Sequence, residues 1–198
     1  MPVSAGAGRQ ALSPAVTVRR ELRPGDLGAI IAQHGAVYSR EYGVDSTFEG
    51  HVATSVAAAG ERGWPGDGEA VWIVEVEGRH AGSLGLTDEG DGAATLRWFL
   101  LDAELRGEGL GRRLVGELVA EAERLGYETL VLETFSELRA AAHIYRGAGF
   151  ELRSAQTGPR WGRDEITYQR YELSFQARAH SSSSPSAGSS ARPFSVSA

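Results

Sequence analysis

The chain has 198 residues and a formal net charge of −6, a length that predicts one domain. It contains no Cys, no Lys and no Asn, and all 20 of its basic residues are Arg. These absences exclude a disulfide framework, a thiolate nucleophile, a sulfur-built zinc site, a Walker A loop and a lysine Schiff base.

The acidic balance and the scattered Arg residues predict no nucleic-acid partner. No run of 18 apolar residues occurs, so no membrane helix is expected. The start, MPVSAGAGRQALSP, lacks the basic and apolar stretches of a secretory signal, and a cytoplasmic location is expected. The five His residues (34, 51, 80, 143 and 180) lack metal-ligand spacing, and no metal is expected. The joint absence of Asn and Lys, both with AT-rich codons, reads as the mark of a GC-rich genome.

In chain order, residues 1–15 are rich in Gly, Ala, Ser and Pro and are expected to be a disordered extension; the folded domain is expected over 16–175. Val16–Arg23 alternates apolar and polar residues, as a strand does. Pro24-Gly25-Asp26 predicts a turn, with Asp26 as the N-cap of a helix. That helix carries Leu27, Ile30, Ile31, His34, Val37 and Tyr38 at helical spacing to about Tyr42, and Gly43 stops it. Asp45 or Ser46 caps a second helix, with Phe48, Val52 and Val56, ending at Gly60; Gly60–Glu69 is a loop.

Ala70–Glu77 and His80–Thr87 read as a hairpin turning at Gly78-Arg79. A turn at Asp88–Gly92 leads to a further strand, Ala94–Leu101. Gly109–Leu125 is an amphipathic helix, with Leu110, Leu114, Leu118, Ala122 and Leu125 on one face. Tyr127–Phe135 reads as a strand, Glu137–Ala148 as a helix, and Phe150–Ala155 and Glu165–Phe175 as two last strands. Residues 176–198 form an expected disordered tail; 179–198 hold nine Ser and two Pro and too little apolar surface to offset ordering entropy. The order predicts an α/β (α+β) fold, a mixed and largely antiparallel seven-stranded sheet flanked by about four helices.

The stretch Leu105-Arg106-Gly107-Glu108-Gly109-Leu110-Gly111-Arg112-Arg113 follows a strand and opens a helix. Main-chain N–H groups at the positive end of a helix make an anion site, and glycines let the backbone approach a phosphate. Arg106 or Arg112 could add charge. The dinucleotide fingerprint fails here, because Arg112 stands where its third Gly is needed. On its own the loop is also consistent with a tight turn and no ligand.

Two motifs occurring in order narrow the choice. Arg106-x-x-Gly109-x-Gly111 resembles the R/Q-x-x-G-x-G/A loop of the GNAT family of N-acetyltransferases, and Tyr145-x-x-x-Gly149-Phe150 resembles that family's signature at the end of its fourth helix. The likeness covers nearly all of 16–175. The stretches Arg20–Gly28, His34–Tyr38 and Glu41–Gly43 look like the acetyltransferase half of bacterial MarR–acetyltransferase fusion proteins, and the expectation is a stand-alone catalytic relative without the winged-helix half. Leu138 departs from the family pattern, which often has Asn there to help hold the cofactor. Glu133 and Phe135 depart from the fusion proteins, which carry an aromatic and a polar residue.

The resemblance implies acetyl-CoA as donor and a small-molecule amine as acceptor, with direct attack and no metal. It implies a pyrophosphate on Arg106, Gly107, Glu108, Gly109, Leu110, Gly111 and Arg112, and pantetheine along Phe99, Leu100 and Leu101. An N–H of Leu100 or Leu101 would polarise the thioester. Tyr145 would protonate the departing thiolate, and Glu133, with Glu41 as second candidate, would act as base. His34, Tyr38 and Tyr42 share one helix face and, with Glu41 and Trp161, would wall the acceptor site; Trp64 and Trp98 are further aromatic candidates. Dimers are common in the family, so a homodimer is a further expectation. Two other functions fit the sequence: a protein or peptide N-acetyltransferase, and a non-catalytic acyl-CoA-binding regulatory module.

Overall fold

The computed structural model describes residues 15–175, so the expected 176–198 tail and all of the N-terminal extension but Ala15 lie outside the described residues. The strands are β1 (Val16–Arg19), β2 (Ala70–Val76), β3 (Arg79–Gly90), β4 (Ala93–Leu101), β5 (Thr129–Phe135), β6 (Glu151–Arg160) and β7 (Arg163–Ser174). The helices are α1 (Asp26–Tyr42), α2 (Ser46–Glu61), α3 (Leu110–Arg124) and α4 (Arg139–Gly147), with one 3-10 turn at Ala103–Leu105. The element order is the one expected, and the strands form a single seven-stranded sheet in the order β1-β2-β3-β4-β5-β7-β6.

Three hairpins close on two-residue turns whose central residues both have positive φ: Glu77-Gly78, Asp91-Gly92 and Trp161-Gly162. Such turns match the right-handed twist of the strands they join. They shift two expected boundaries. The first hairpin turns one residue earlier than Gly78-Arg79, and β3 runs on through Asp88 and Glu89 to Gly90. β6 also runs beyond Ala155 through Pro159. Pro is tolerated there because β6 is an edge strand and needs no outward N–H.

β2 is buried on both faces, and its alternation divides the core. Trp72, Val74 and Val76 face α3 and α4, together with Leu114, Leu118 and Ala122. Val71 and Ile73 face α1 and α2, together with Ile30, Phe48, Val52 and Val56. Asp45 caps α2 as expected, accepting from Thr47 N–H at 2.9 Å. Asp26 does not cap α1; the cap position is Gly25, and Asp26 is the first helical residue. Its carboxylate accepts from Arg23 N–H at 2.6 Å and pairs with Arg19 at 3.0 Å. Arg19 also reaches Glu75 on β2 at 2.9 Å. The first helix is therefore tied to the sheet edge by a partly buried ionic triad.

One feature of the sheet positions the site. All neighbouring strands are antiparallel except β4 and β5, which run parallel and pair only at Ala93–Thr95 with Thr129–Val131. Beyond Thr95 the two strands part. On the β3 side, β4 is bulged between Arg97 and Leu100; Trp98 there has φ 49°, and Ser83 Oγ donates to its carbonyl at 2.6 Å. The sheet thus opens a gap between the end of β4 and the end of β5.

Candidate active site

Two cavities meet at this gap. The larger, about 440 Å³, lies between the end of β4, the loop before α3 and the start of α4. Phe99, Leu100, Leu101, Arg106, Gly107, Gly109, Gly111 and Arg112 all line it. Glu108 and Leu110 do not: Glu108 is exposed to solvent, and Leu110 packs against the core. Tyr42 lines this cavity and not the smaller one, so it leaves the expected acceptor wall.

The loop is shaped for an anion. Gly107 and Gly109 have φ 91° and 85°, and space is open where a Cβ would stand on either. Such φ values favour glycine. Gly109 caps α3 without any side-chain hydrogen bond, so no side chain competes for the first-turn N–H groups. Gly111 has no such freedom; a Cβ there would lie 3.1 Å from Ile144 and 3.2 Å from Phe99, so it keeps α3 close to α4 and β4.

Arg106 does something else. Its Nε donates to the Leu101 carbonyl at 2.9 Å and its Nη1 to Glu41 Oε2 at 2.7 Å. Arg112 and Arg139, both on the cavity wall, have no carboxylate partner among the described residues. A guanidinium without a carboxylate partner is suited to meeting a phosphate. Arg139 and His143 were not anticipated from the sequence. Leu138 lines the cavity as an apolar wall at the start of α4. The shape, open glycines and unpaired Arg residues fit acetyl-CoA.

The smaller cavity, about 130 Å³, lies between β4, β5, α1 and α2. Aromatic side chains dominate it: Tyr38, Phe48, Phe135, Trp161 and Tyr168. Tyr38 stacks on Phe48 at 4.6 Å, and Trp161 meets Phe48 edge-on at 5.0 Å. Trp161 is 8% exposed and has φ 51°, a strained setting for a bulky residue. The Asp45 N–H donates to its carbonyl at 2.9 Å and fixes the turn onto α2. Of the other Trp residues, Trp98 lines this cavity and donates from Nε1 to Ser55 Oγ at 3.0 Å. Trp64 lines neither and donates to the Leu86 carbonyl.

Glu133 reaches the smaller cavity from β5 and accepts a hydrogen bond from Tyr168 OH at 2.8 Å. Burial, with Glu133 next, raises the Tyr168 phenol pKa and keeps it protonated. Glu41 lines neither cavity. The hydrogen bond from Arg106 is the main cause holding its carboxyl below the usual range. This ion-paired carboxylate is poorly suited to the role of second base.

Tyr38 and Phe99 line both cavities and mark where they join. Tyr145 comes up beside them from α4, 4% exposed, its ring edge-on to Phe99 at 6.2 Å and to Phe150 at 6.0 Å. Burial raises its phenol pKa strongly. Its hydroxyl has no hydrogen bond to protein, and the one sealed, partnerless side-chain polar atom among the described residues is His80 Nδ1. The Tyr145 hydroxyl therefore opens onto the smaller cavity as a proton donor without a partner. His34, on the α1 wall, is 4% exposed and donates from Nδ1 to the Ile30 carbonyl at 2.8 Å. Phe48, His51, Ser55, Arg97 and Tyr168 are lining residues that the sequence did not single out.

Among the described residues no helix is long and apolar enough to cross a membrane, and no group of three or more His, Asp or Glu could hold a metal ion.

Comparison with known proteins agrees with this geometry. Residues 26–150 match the acetyltransferase (GNAT) family. An uncharacterized N-acetyltransferase of Schizosaccharomyces pombe is 29% identical over 140 residues, 69% of this chain and 83% of that protein. The uncharacterized N-acetyltransferase YjgM of Escherichia coli is 33% identical over 88 residues, 42% of this chain and 52% of that protein. Among solved structures, a ribosomal-protein-alanine N-acetyltransferase from Brucella melitensis superposes with TM-score 0.63 at 20% identity, covering 80% of this chain and 99% of that one. The acetyltransferase yncA of Salmonella typhimurium, solved with its cofactor acetyl-CoA, superposes with TM-score 0.60 at 22% identity, covering 81% and 94%.

Proposed function

The chain belongs to the acetyltransferase (GNAT) family and is an acetyl-CoA-dependent N-acetyltransferase, and from that premise we propose that its acceptor is a small-molecule amine bound in the aromatic cavity. The observation that carries this reading is the aromatic lining of that cavity. Trp161 packs on Phe48, Phe135 and Tyr168, and its turn is tied to α2 through Asp45. A peptide acceptor needs an extended groove between α1–α2 and the β6–β7 turn, where the Trp161 ring packs against Phe48 and His51 of α2. A compact amine needs only a cavity of this size with aromatic faces and one carboxylate.

Bound acetyl-CoA supplies an activated acetyl group. The amides of 107–112, with Arg112 and Arg139, hold its phosphates at the α3 N-terminus. The main chain of Phe99–Leu101, unpaired with β5, takes the pantetheine arm like an added strand. An N–H of Leu100 or Leu101 polarises the carbonyl. Glu133, at the solvent side, attracts an ammonium and receives its first proton, and Tyr168 fixes the carboxylate in place. Tyr145 gives its hydroxyl proton to the departing sulfur. The stretches Arg20–Gly28, His34–Tyr38 and Glu41–Gly43 support, within this reading, a likeness to the catalytic half of MarR–acetyltransferase fusion proteins. The test is release of free CoA with a panel of small amines against a panel of peptides. Small amines are expected to drive release and peptides to leave it at background.

A further inference from the structure

The acid and the entry carboxylate leave one proton without a destination. An amine that attacks a carbonyl carbon keeps two hydrogens on a nitrogen that is becoming positive, and one must leave before the amide is complete. Glu41 is committed to Arg106 and lines neither cavity. Glu133 sits at the mouth, engaged by Tyr168.

His34 is placed differently. A carbonyl oxygen can only accept, so the 2.8 Å contact to Ile30 puts the imidazole proton on Nδ1 and leaves Nε2 as a bare lone pair. Nε2 has no protein partner, yet it is not a sealed orphan, since only His80 Nδ1 is so among the described residues. The ring lines the same aromatic cavity as Tyr145, so that cavity is the space available to the lone pair. Stacking on Tyr38, with centroids 5.7 Å apart, limits its rotation. It is a buried proton acceptor that the fold holds in one tautomer and leaves unused.

We propose that His34 Nε2 receives the proton shed by the acceptor nitrogen as it is acetylated. This rests on the small-amine reading above. The N–C bond forms and the C–S bond breaks; the nitrogen's proton goes to His34 as the sulfur takes one from Tyr145. The imidazolium then returns a proton to the Tyr145 phenolate across the cavity that both side chains line. The net change is one proton released at Glu133, as acetylation of an ammonium requires. Burial pushes the His34 imidazole down to about 4, so it is neutral and ready at pH 7. A weak base suffices for this step, because the nitrogen's proton becomes strongly acidic once the new bond forms.

The test has two independent readouts. Histidine 15N NMR of the protein without ligands, assigned with His34→Gln, should show a protonated Nδ1 and an unprotonated Nε2 at pH 7. A protonated Nε2 overturns the proposal. In turnover of a small amine, His34→Phe and His34→Gln should each lose about 10²-fold in kcat, with the acetyl-CoA-induced rise in Tm unchanged. Gln can accept a hydrogen bond but not a proton, so a Gln variant within threefold of wild type overturns the proposal even if Phe is inactive. If the wild type uses peptides and no small amine, the small-amine reading fails by itself. The same two variants measured on the peptide then decide the role of His34 by the same criteria.

Discussion

Arg106 joins the glycine loop to the first helix. Its Nη1 donates to Glu41 Oε2 at 2.7 Å and its Nε to the Leu101 carbonyl at 2.9 Å. From spacing alone Arg106 is a phosphate ligand; in the fold it holds the phosphate loop against the strand before it and against α1.

Arg106→Ala should therefore weaken acetyl-CoA by loosening the loop, and Glu41→Gln should do so to a smaller extent. The pair is partly exposed, at 38% and 23% of the side chains, so the effect on global stability should be under about 1 kcal/mol. Isothermal titration with acetyl-CoA, beside thermal melts, checks both. The pH–rate profile of Glu41→Gln should match that of wild type, because a carboxylate held by Arg106 is not the base.

Tyr145→Phe removes one hydroxyl that bonds to nothing in the protein. Folding and acetyl-CoA affinity should stay the same, and kcat should fall about 10²-fold. Burial raises the phenol pKa, so the wild-type rate should show no alkaline fall from loss of this proton up to pH 9.5 or so. Steady-state kinetics against pH with both proteins measure this.

Glu133→Gln should raise KM for cationic amines about tenfold and leave neutral arylamines nearly unchanged, since the carboxylate acts on the ammonium form. Tyr168→Phe removes the 2.8 Å donor to Glu133 and should give the same pattern more weakly. Competition between an alkylamine and an arylamine acceptor reads the difference in one experiment.

The triad Arg19–Asp26–Glu75 should govern acid stability. Burial pushes the Asp26 carboxyl up, but bonds from Arg19 and the Arg23 N–H outweigh this and hold it below its usual range. The Arg19 hydrogen bond lowers Glu75 likewise. Folded-state values below the unfolded ones give stability that is fully present above the ordinary carboxylate range, about pH 4–4.5. That stability is lost as pH falls through the lowered folded values. Arg19→Met should cost about 3 kcal/mol at pH 7 by leaving a partly buried carboxylate unpaired. It should also flatten the fall of Tm between about pH 5 and 3. Denaturant melts across that range compare the two proteins.

What the sequence revealed depended on whether the signal was local. The glycine loop, the α3 face through Leu114, Leu118 and Ala122, and Tyr145 ahead of Gly149-Phe150 are each contained in a dozen residues or so, and each lies where the spacing put it. Asp26 reads locally as a cap, whereas its partner Arg19 lies on β1 and is shared with Glu75 on β2. The Glu41–Arg106 and Glu133–Tyr168 pairs span 65 and 35 residues. The second exists only because β7 inserts between β5 and β6 and sets Tyr168 beside Phe135. The open face of His34 Nε2 was equally out of reach, since periodicity places a side chain on a helix face and says nothing about which ring nitrogen is already bonded.

The most direct measurement of acceptor class is free CoA release by the wild-type protein, with small amines and with peptides of matched N-terminal residues, at saturating acetyl-CoA. Release with one or more small amines, abolished by filling the aromatic cavity through Ser55→Trp and retained at background with every peptide, is the predicted result. Efficient release with peptides, or small-amine turnover that Ser55→Trp leaves intact in a folded protein, contradicts it.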